Sequence, residues 1–225
     1  MKPSELFYKC AFEVKYETVG NDVNYAFIED GSTLYLFLQG SSSDVDWRRN
    51  FTFPARPYKD MGIPYLVHRG FLEAWKELED VVIAKVTERV PYGEWKYKYD
   101  HVVVIGYSHG SSLAFFATEC IWYHREDLRD GGFETYAFES PRVFAGFWIP
   151  KKLRERWNNM TVFVNGSDIV THCPPRIFGF CHAGHIVHIK GDVSLVEGRL
   201  PKCIKYHYPQ VVEDGLKKYE KDKDC

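Results

Sequence analysis

Ser108 lies at the centre of Gly106-Tyr107-Ser108-His109-Gly110, directly after the apolar run from Val102 to Ile105 and before an apolar, helix-prone stretch that opens at Ser111. A Gly-x-Ser-x-Gly turn between a strand and a helix holds its serine in a strained, exposed conformation. The two glycines leave room for neighbouring backbone and for substrate. The plainer reading of such a turn is a glycine-rich helix cap, and the preceding Val-Val-Val-Ile strand favours a nucleophile. A serine hydroxyl attacks an acyl carbon only when a positioned base removes its proton, and the base needs an acid to orient it. Asp168 in Gly166-Ser167-Asp168 is a candidate acid, with an Asx turn as its ordinary alternative. His172, His182, His185, His188 and His207 all follow it and are candidate bases. Acyl transfer also puts negative charge on the substrate oxygen, which two backbone N–H groups must meet. His109, next to the nucleophile, and Ser41 in an early serine-rich loop are the expected donors, although Ser41-Ser42-Ser43 also reads as a plain turn.

These residues need a scaffold that brings them together. Residues 25–29 and 34–38 are short β-prone runs joined through Asp30-Gly31, a hairpin signal. Residues 40–64 carry Gly-Ser-Ser-Ser and three prolines, so a loop with one helical turn around Trp47 is predicted there. Phe71, Leu72, Trp75, Leu78, Val82, Val86 and Val90 recur at helical steps and stop at Pro91, which predicts an amphipathic helix against a sheet. Residues 101–107 read as a strand and 111–125 as a helix. Further strands are expected at 135–138, 161–165 and 186–189, with a last helix marked by Val211, Val212, Leu216 and Tyr219. Strands alternating with helices predict an α/β protein with a mostly parallel central sheet and helices on both faces. No internal repeat or linker divides the chain, so residues 1–225 are expected to form a single domain.

With these motifs in place, the chain resembles the class 3 lipases of the α/β-hydrolase superfamily over most of residues 35–210. Leu38-Gln39-Gly40-Ser41 with Asp46-Trp47 and Asn50-Phe51 is similar to that family's oxyanion segment, and His68-Arg69-Gly70-Phe71 to its His-x-Gly-Phe motif. Ser140-Pro141-Arg142-Val143 is similar to its Ser-Pro-Arg-Val stretch, and Asn165 to Asp168 with Pro174-Pro175 to its acid loop. Gln39 stands where the family usually has Arg, and Glu139 where it often has Gly. The resemblance implies an α/β-hydrolase fold and a chain order of serine, acid, histidine, hence Ser108, Asp168 and His207. It makes His182, before Ala183-Gly184, a structural residue. The implied activity is serine carboxylic-ester hydrolysis of acylglycerols or other lipid-like esters through an acyl-serine intermediate. Phospholipases and esterases of aromatic acids belong to the same family, and a catalytically idle binding protein on this fold is the remaining alternative. No metal or organic cofactor is implied.

Composition narrows the partners. Twenty-nine Lys and Arg against 31 Asp and Glu give a net charge of -2, too little positive field to hold nucleic acid. A small-molecule ester or lipid is the expected substrate, with transient contact with lipid surfaces and no obligate protein partner. His109 and Glu119 interrupt the richest apolar window, so no membrane span is predicted. Glu5, Lys9, Glu13 and Lys15 break any signal-peptide core, which makes the chain read as cytoplasmic; a mature secreted form would read the same way. Six scattered cysteines are expected to be mostly free thiols, with a local Cys173–Cys181 disulfide as the oxidised alternative. His172, Cys173, Cys181, His182, His185 and His188 fall close together, but their spacing matches no recurrent zinc module. Trp47, Phe51, Phe53 and Tyr58 are candidate lining for an acyl chain. The charges and prolines of residues 41–64 argue against a large amphipathic lid.

Overall fold

The computed structural model describes residues 1–21, 23–39, 54–91 and 95–223. Among these residues the main sheet has seven strands: β1 (Glu17–Val19), β2 (Val23–Asp30), β3 (Thr33–Leu38), β6 (His101–Tyr107), β7 (Phe133–Phe138), β9 (Met160–Asn165) and β11 (His185–Ile189). A smaller sheet holds β4 (Ala55–Tyr58), β5 (Tyr65–His68), β8 (Phe144–Ala145) and β10 (Phe180–Cys181). The main sheet runs β1-β2-β3-β6-β7-β9-β11. β1, β2 and β3 pair antiparallel, and from β3 onward every pairing is parallel. Gly31, at φ 58°, makes the β2–β3 hairpin with a backbone that L side chains rarely adopt.

β6 is central, and residues 102–106 are all buried, as a parallel strand covered on both faces must be. Its side chains alternate between two cores. Val102 and Val104 face Leu34, Leu36, Trp75 and Phe116, under helices α2 (Arg69–Val86) and α3 (His109–His124). Val103 and Ile105 face Phe37, Phe138, Phe163, Val212 and Leu216, under α1 (Pro3–Tyr8) and α4 (Pro209–Lys223). α1 is tied to α4 by Ser4, whose N–H and Oγ–H donate to Glu220 at 2.7 and 2.6 Å. α1 escapes sequence reading because six residues are too short to show a period.

Two expectations are corrected. The long amphipathic helix ends at Val86, one turn before Pro91, because Glu88 to Val90 turn to a different partner. Val90 N–H donates to Lys96 O at 3.2 Å, Lys98 N–H to Glu88 O at 2.8 Å, and Arg89 bridges to Tyr97. Within the supposed loop, residues 55–58 form β4. Pro57 is tolerated there because β4 is the outer strand of the small sheet, where a missing N–H breaks no ladder.

Helix α3 is buried along almost its whole length and carries a charge into the core. Glu119 is fully buried between the Arg156 guanidinium and the Tyr65 hydroxyl. Burial pushes its carboxyl up to about 7, against the pull of those two partners. The five described cysteines, Cys10, Cys120, Cys173, Cys181 and Cys203, are free thiols.

Candidate active site

Ser108 follows the last residue of β6 at φ 55° and ψ −122°, a strained conformation for a non-glycine residue. Its N–H donates to Phe138 O at 2.9 Å, which ties the turn to β7. The flanking glycines are required by contact with neighbouring backbone. A Cβ on Gly106 would lie 2.5 Å from Gly110 O, and one on Gly110 would lie 2.1 Å from Leu38 O. His68 supports the elbow from below. Its Nδ1 accepts the Phe71 N–H at 3.4 Å and caps α2, and the Phe71 ring lies 5.7 Å from that of His109. The His-x-Gly-Phe motif is thus an anchor for the helix beneath the turn.

Asp168 and His207 reach Ser108 from the segment after β9 and the segment before α4. Asp168 follows β9 and is wholly buried, and its Oδ1 accepts the Val170 N–H at 3.0 Å. Its Oδ2 lies 2.6 Å from His207 Nδ1, and His207 Nε2 lies 2.8 Å from Ser108 Oγ. The carboxylate can only accept, so Nδ1 carries the imidazole proton and Nε2 is left to accept the serine hydroxyl proton. His207 is fixed without lying in a helix or strand: its N–H donates to Ile204 O at 3.0 Å. The Tyr107 hydroxyl donates to His207 O, and the two rings stack with centroids 5.4 Å apart. The result is a chain of acid, imidazole and hydroxyl in which a proton leaving Ser108 has a positioned acceptor.

His109 opens α3, so its backbone N–H sits at the positive end of the helix dipole beside Ser108. Ser41, the other expected oxyanion donor, lies outside the described residues. So do Trp47, Phe51 and Phe53 and residues 41–53 of the stretch read for a lid. Tyr58 is a correction: it is 1% exposed and donates to Glu79 at 2.9 Å, which makes it core rather than acyl-chain lining.

The other histidines are placed elsewhere. His172 Nδ1 meets Asp168 O at 2.8 Å, and His182 Nε2 meets Thr171 O at 2.9 Å, so both brace the acid loop. Burial holds His182 down at about 4, and it is neutral near pH 7. His185 and His188 are exposed on β11. Among the described residues, the group that brings three potential ligand atoms together is Glu139, Asp168 and His207, not the His172–His188 cluster.

Three supporting residues are missed by sequence reading. Asn165, noted there only as a motif position, joins the two arms of the site: its Nδ2–H donates to Tyr206 O and its Oδ1 accepts Gly191 N–H, both at 2.8 Å. Tyr107 clamps His207, and its place in the Gly-x-Ser-x-Gly pattern carries no signal for that. Glu139 lies fully buried beside Asp168 at φ 53°. Its signal was its appearance at a position where the family often has Gly.

The comparisons fit this geometry. The family model for lipase (class 3) matches residues 35–178. The lipase of Rhizomucor miehei is 31% identical over 157 residues, which cover 68% of this chain and 40% of that protein. A secreted mono- and diacylglycerol lipase of Fusarium solani is 31% identical over 149 residues, covering 66% and 41%. The chain therefore spans about two-fifths of the length of the curated relatives it matches. Among solved structures, a triacylglycerol lipase with a serine protease triad as its catalytic centre superposes with a TM-score of 0.65 at 28% identity. That match covers 81% of this chain and 67% of the other. The triacylglyceride lipase of Rhizomucor miehei superposes with a TM-score of 0.63 at 27% identity, covering 78% and 65%. The parallel sheet, the helices on both of its faces and the strained elbow are those of the α/β-hydrolase fold. With a family match over more than half its residues, this chain belongs to the class 3 lipases.

Proposed function

We propose that the chain is a serine carboxylic-ester hydrolase that acts on acylglycerols or other lipid-like esters. The observation that carries the reading is the continuous contact from Asp168 Oδ2 through His207 to Ser108 Oγ, at 2.6 and 2.8 Å. In this reading His207 Nε2 removes the hydroxyl proton as Ser108 Oγ attacks the ester carbonyl, and buried Asp168 stabilises the imidazolium that forms. The N–H groups of His109 and Ser41 receive the developing oxyanion. His207 then gives its proton to the departing alkoxide, leaving an acyl-serine. Water enters by the same route in reverse and releases the acid. Each step uses side chains and backbone of this chain, and residues 1–225 act as one domain.

Lipase relatives act on lipid esters, and lipid surfaces are the expected place of contact. Among the described residues no helix is long and apolar enough to cross a membrane. The cytoplasmic expectation gains no support from the relatives, several of which are named as secreted lipases. The secreted alternative is therefore the one carried forward.

The test is hydrolysis of a p-nitrophenyl ester series by wild type, Ser108→Ala and His207→Ala. Both variants should fold and should lose roughly 10³-fold or more in kcat. A folded Ser108→Ala enzyme with near-normal turnover would reject the mechanism. A wild type inert toward every ester would favour the idle binding protein.

A further inference from the structure

Glu139 ends up where a charged side chain has little reason to be. It follows β7, it is fully buried, and its φ of 53° is a conformation that glycine holds with far less strain. Its backbone N–H donates to Phe163 O at 2.9 Å, so the turn is fixed and the side chain is directed inward. One carboxyl oxygen, Oε2, accepts the Asn165 N–H at 3.2 Å. The other, Oε1, is buried without a donor. Polar atoms of Glu139, Asp168 and His207 lie within 4.8 Å of one another.

Two buried carboxyls this close cannot both ionise. Asp168 already has the donors that an anion needs, His207 Nδ1–H and Val170 N–H. Glu139 has a single amide donor and an orphan oxygen. A proton on Oε1 resolves both difficulties, because the oxygen becomes a donor and Asp168 is the acceptor beside it. Burial and the Asp168 charge hold the Glu139 carboxyl well above the usual carboxylate range, in agreement with this assignment. Among the described residues, the other titratable groups near the pair include His207, from the segment before α4, the Tyr107 phenol on β6, held above its ordinary range chiefly by burial, and the Cys173 thiol, held up by burial and the Asp168 charge.

We infer that Glu139 is a positioning residue that remains a neutral acid and donates a hydrogen bond to Asp168, which sets how strongly that carboxylate supports His207. This rests on the proposed roles of Ser108, His207 and Asp168. A donor on Asp168 withdraws charge from it, so the imidazolium is less stabilised and His207 stays a free base to lower pH. An ionised Glu139 would do the reverse.

Three variants decide the matter: Glu139→Gln, which is uncharged and keeps an N–H donor, Glu139→Gly, which removes the donor and relieves the strained φ, and Ser108→Ala as the reference for turnover. The readouts are the pH profile of kcat/KM on p-nitrophenyl butyrate and the downfield proton resonance of His207 Nδ1–H, assigned by its loss in His207→Ala. Glu139→Gln should keep the acidic limb of the profile within about 0.3 pH unit of wild type. Glu139→Gly should raise that limb by about one unit and move the resonance, with KM unchanged. A glutamine variant whose acidic limb falls by a full unit would show that Glu139 is anionic and would overturn the inference. So would a glycine variant with the wild-type profile and resonance. Should Glu139→Gly fail to fold, the glutamine variant alone distinguishes neutral from ionised Glu139. Should Ser108→Ala keep its activity, the hydrolase reading falls, while the resonance still reports on the carboxyl pair.

Discussion

Replacing Gly110 with alanine would drive a methyl group into the end of β3. The added carbon would sit 2.1 Å from Leu38 O and 2.5 Å from Gln39 O. Contacts below about 3 Å do not occur at real Cβ atoms, so a gap of roughly 1 Å has to open between α3 and β3. Neither carbonyl can rotate aside, because both belong to backbone. Overpacking of this kind costs about 1–3 kcal/mol, and two rigid neighbours put this site at the upper end. Alanine recovers about 1 kcal/mol through its better helix propensity, which leaves a net loss of roughly 2 kcal/mol. The larger effect should be on rate. α3 carries His109 N–H and begins directly after Ser108, so the same displacement separates the hydroxyl from His207 Nε2, now at 2.8 Å. A misplacement of about 1 Å can cost ~10²-fold. The assay pairs urea denaturation with p-nitrophenyl ester turnover for Gly110→Ala and for Gly31→Ala. Gly31, unlike Gly110, has a positive φ, and nothing lies within 4 Å of its would-be Cβ. Gly31→Ala should lose stability and keep its kcat, while Gly110→Ala should lose both. A folded Gly110→Ala enzyme with kcat within threefold of wild type would refute the claim that this elbow is sterically closed.

Two further substitutions probe the buried charges. His182 is held neutral down to about 4, whereas in the unfolded chain it protonates near 6.5, so the unfolded state binds the extra proton between those values. Its contribution is intact above pH 6.5 and is lost as pH falls toward 4, by as much as about 3 kcal/mol. His182→Gln, which can still donate to Thr171 O, should therefore lose about 2 kcal/mol less than wild type between pH 7 and pH 4.5 in chemical denaturation; parallel slopes would contradict this. Glu119 and Glu139 act with the opposite sign, but they are common to both proteins and cancel in the difference. Arg156→Met should cost about 3–5 kcal/mol at pH 8 by leaving Glu119 buried and unpaired. The loss should shrink at pH 5.5, where Glu119 takes up a proton, and Arg156→Met with Glu119→Gln should recover much of it. Equal losses at the two pH values, measured by thermal melts, would count against a buried ionised Glu119.

The strand–turn–helix unit around Ser108 is legible because it is local. Four consecutive apolar residues, two glycines and a helix-forming stretch record it within some twenty positions. Asp168 and His207 are less so: 39 residues separate them, and no periodicity registers their approach. The choice of His207 among five histidines rested on family resemblance. The tertiary contacts that Tyr107 makes with His207 and Asn165 with Tyr206 leave no such sign in the sequence. The small sheet left no trace because its strands are two to four residues long and one contains a proline. Glu139 was visible only as a departure from a pattern, since a carboxyl pair exists only once β7 and β9 lie side by side.

The double hydrogen bond made by Asn165 has a consequence for how such a protein can diversify. Its amide holds Tyr206 and Gly191 together at the end of β9, and Ile169 N–H donates to Cys203 O at 3.1 Å. The excursion from Gly191 to Tyr206 is therefore pinned at its two ends, and its far part is released from any duty to position Asp168 and His207. Around Gly198 the chain is exposed, and a side chain there would touch nothing within 4 Å. Closing a longer loop across fixed ends costs only about 0.6 kcal/mol per doubling of its length. New sequence can accumulate in that excursion and change what the molecule touches, while the proton path remains the same.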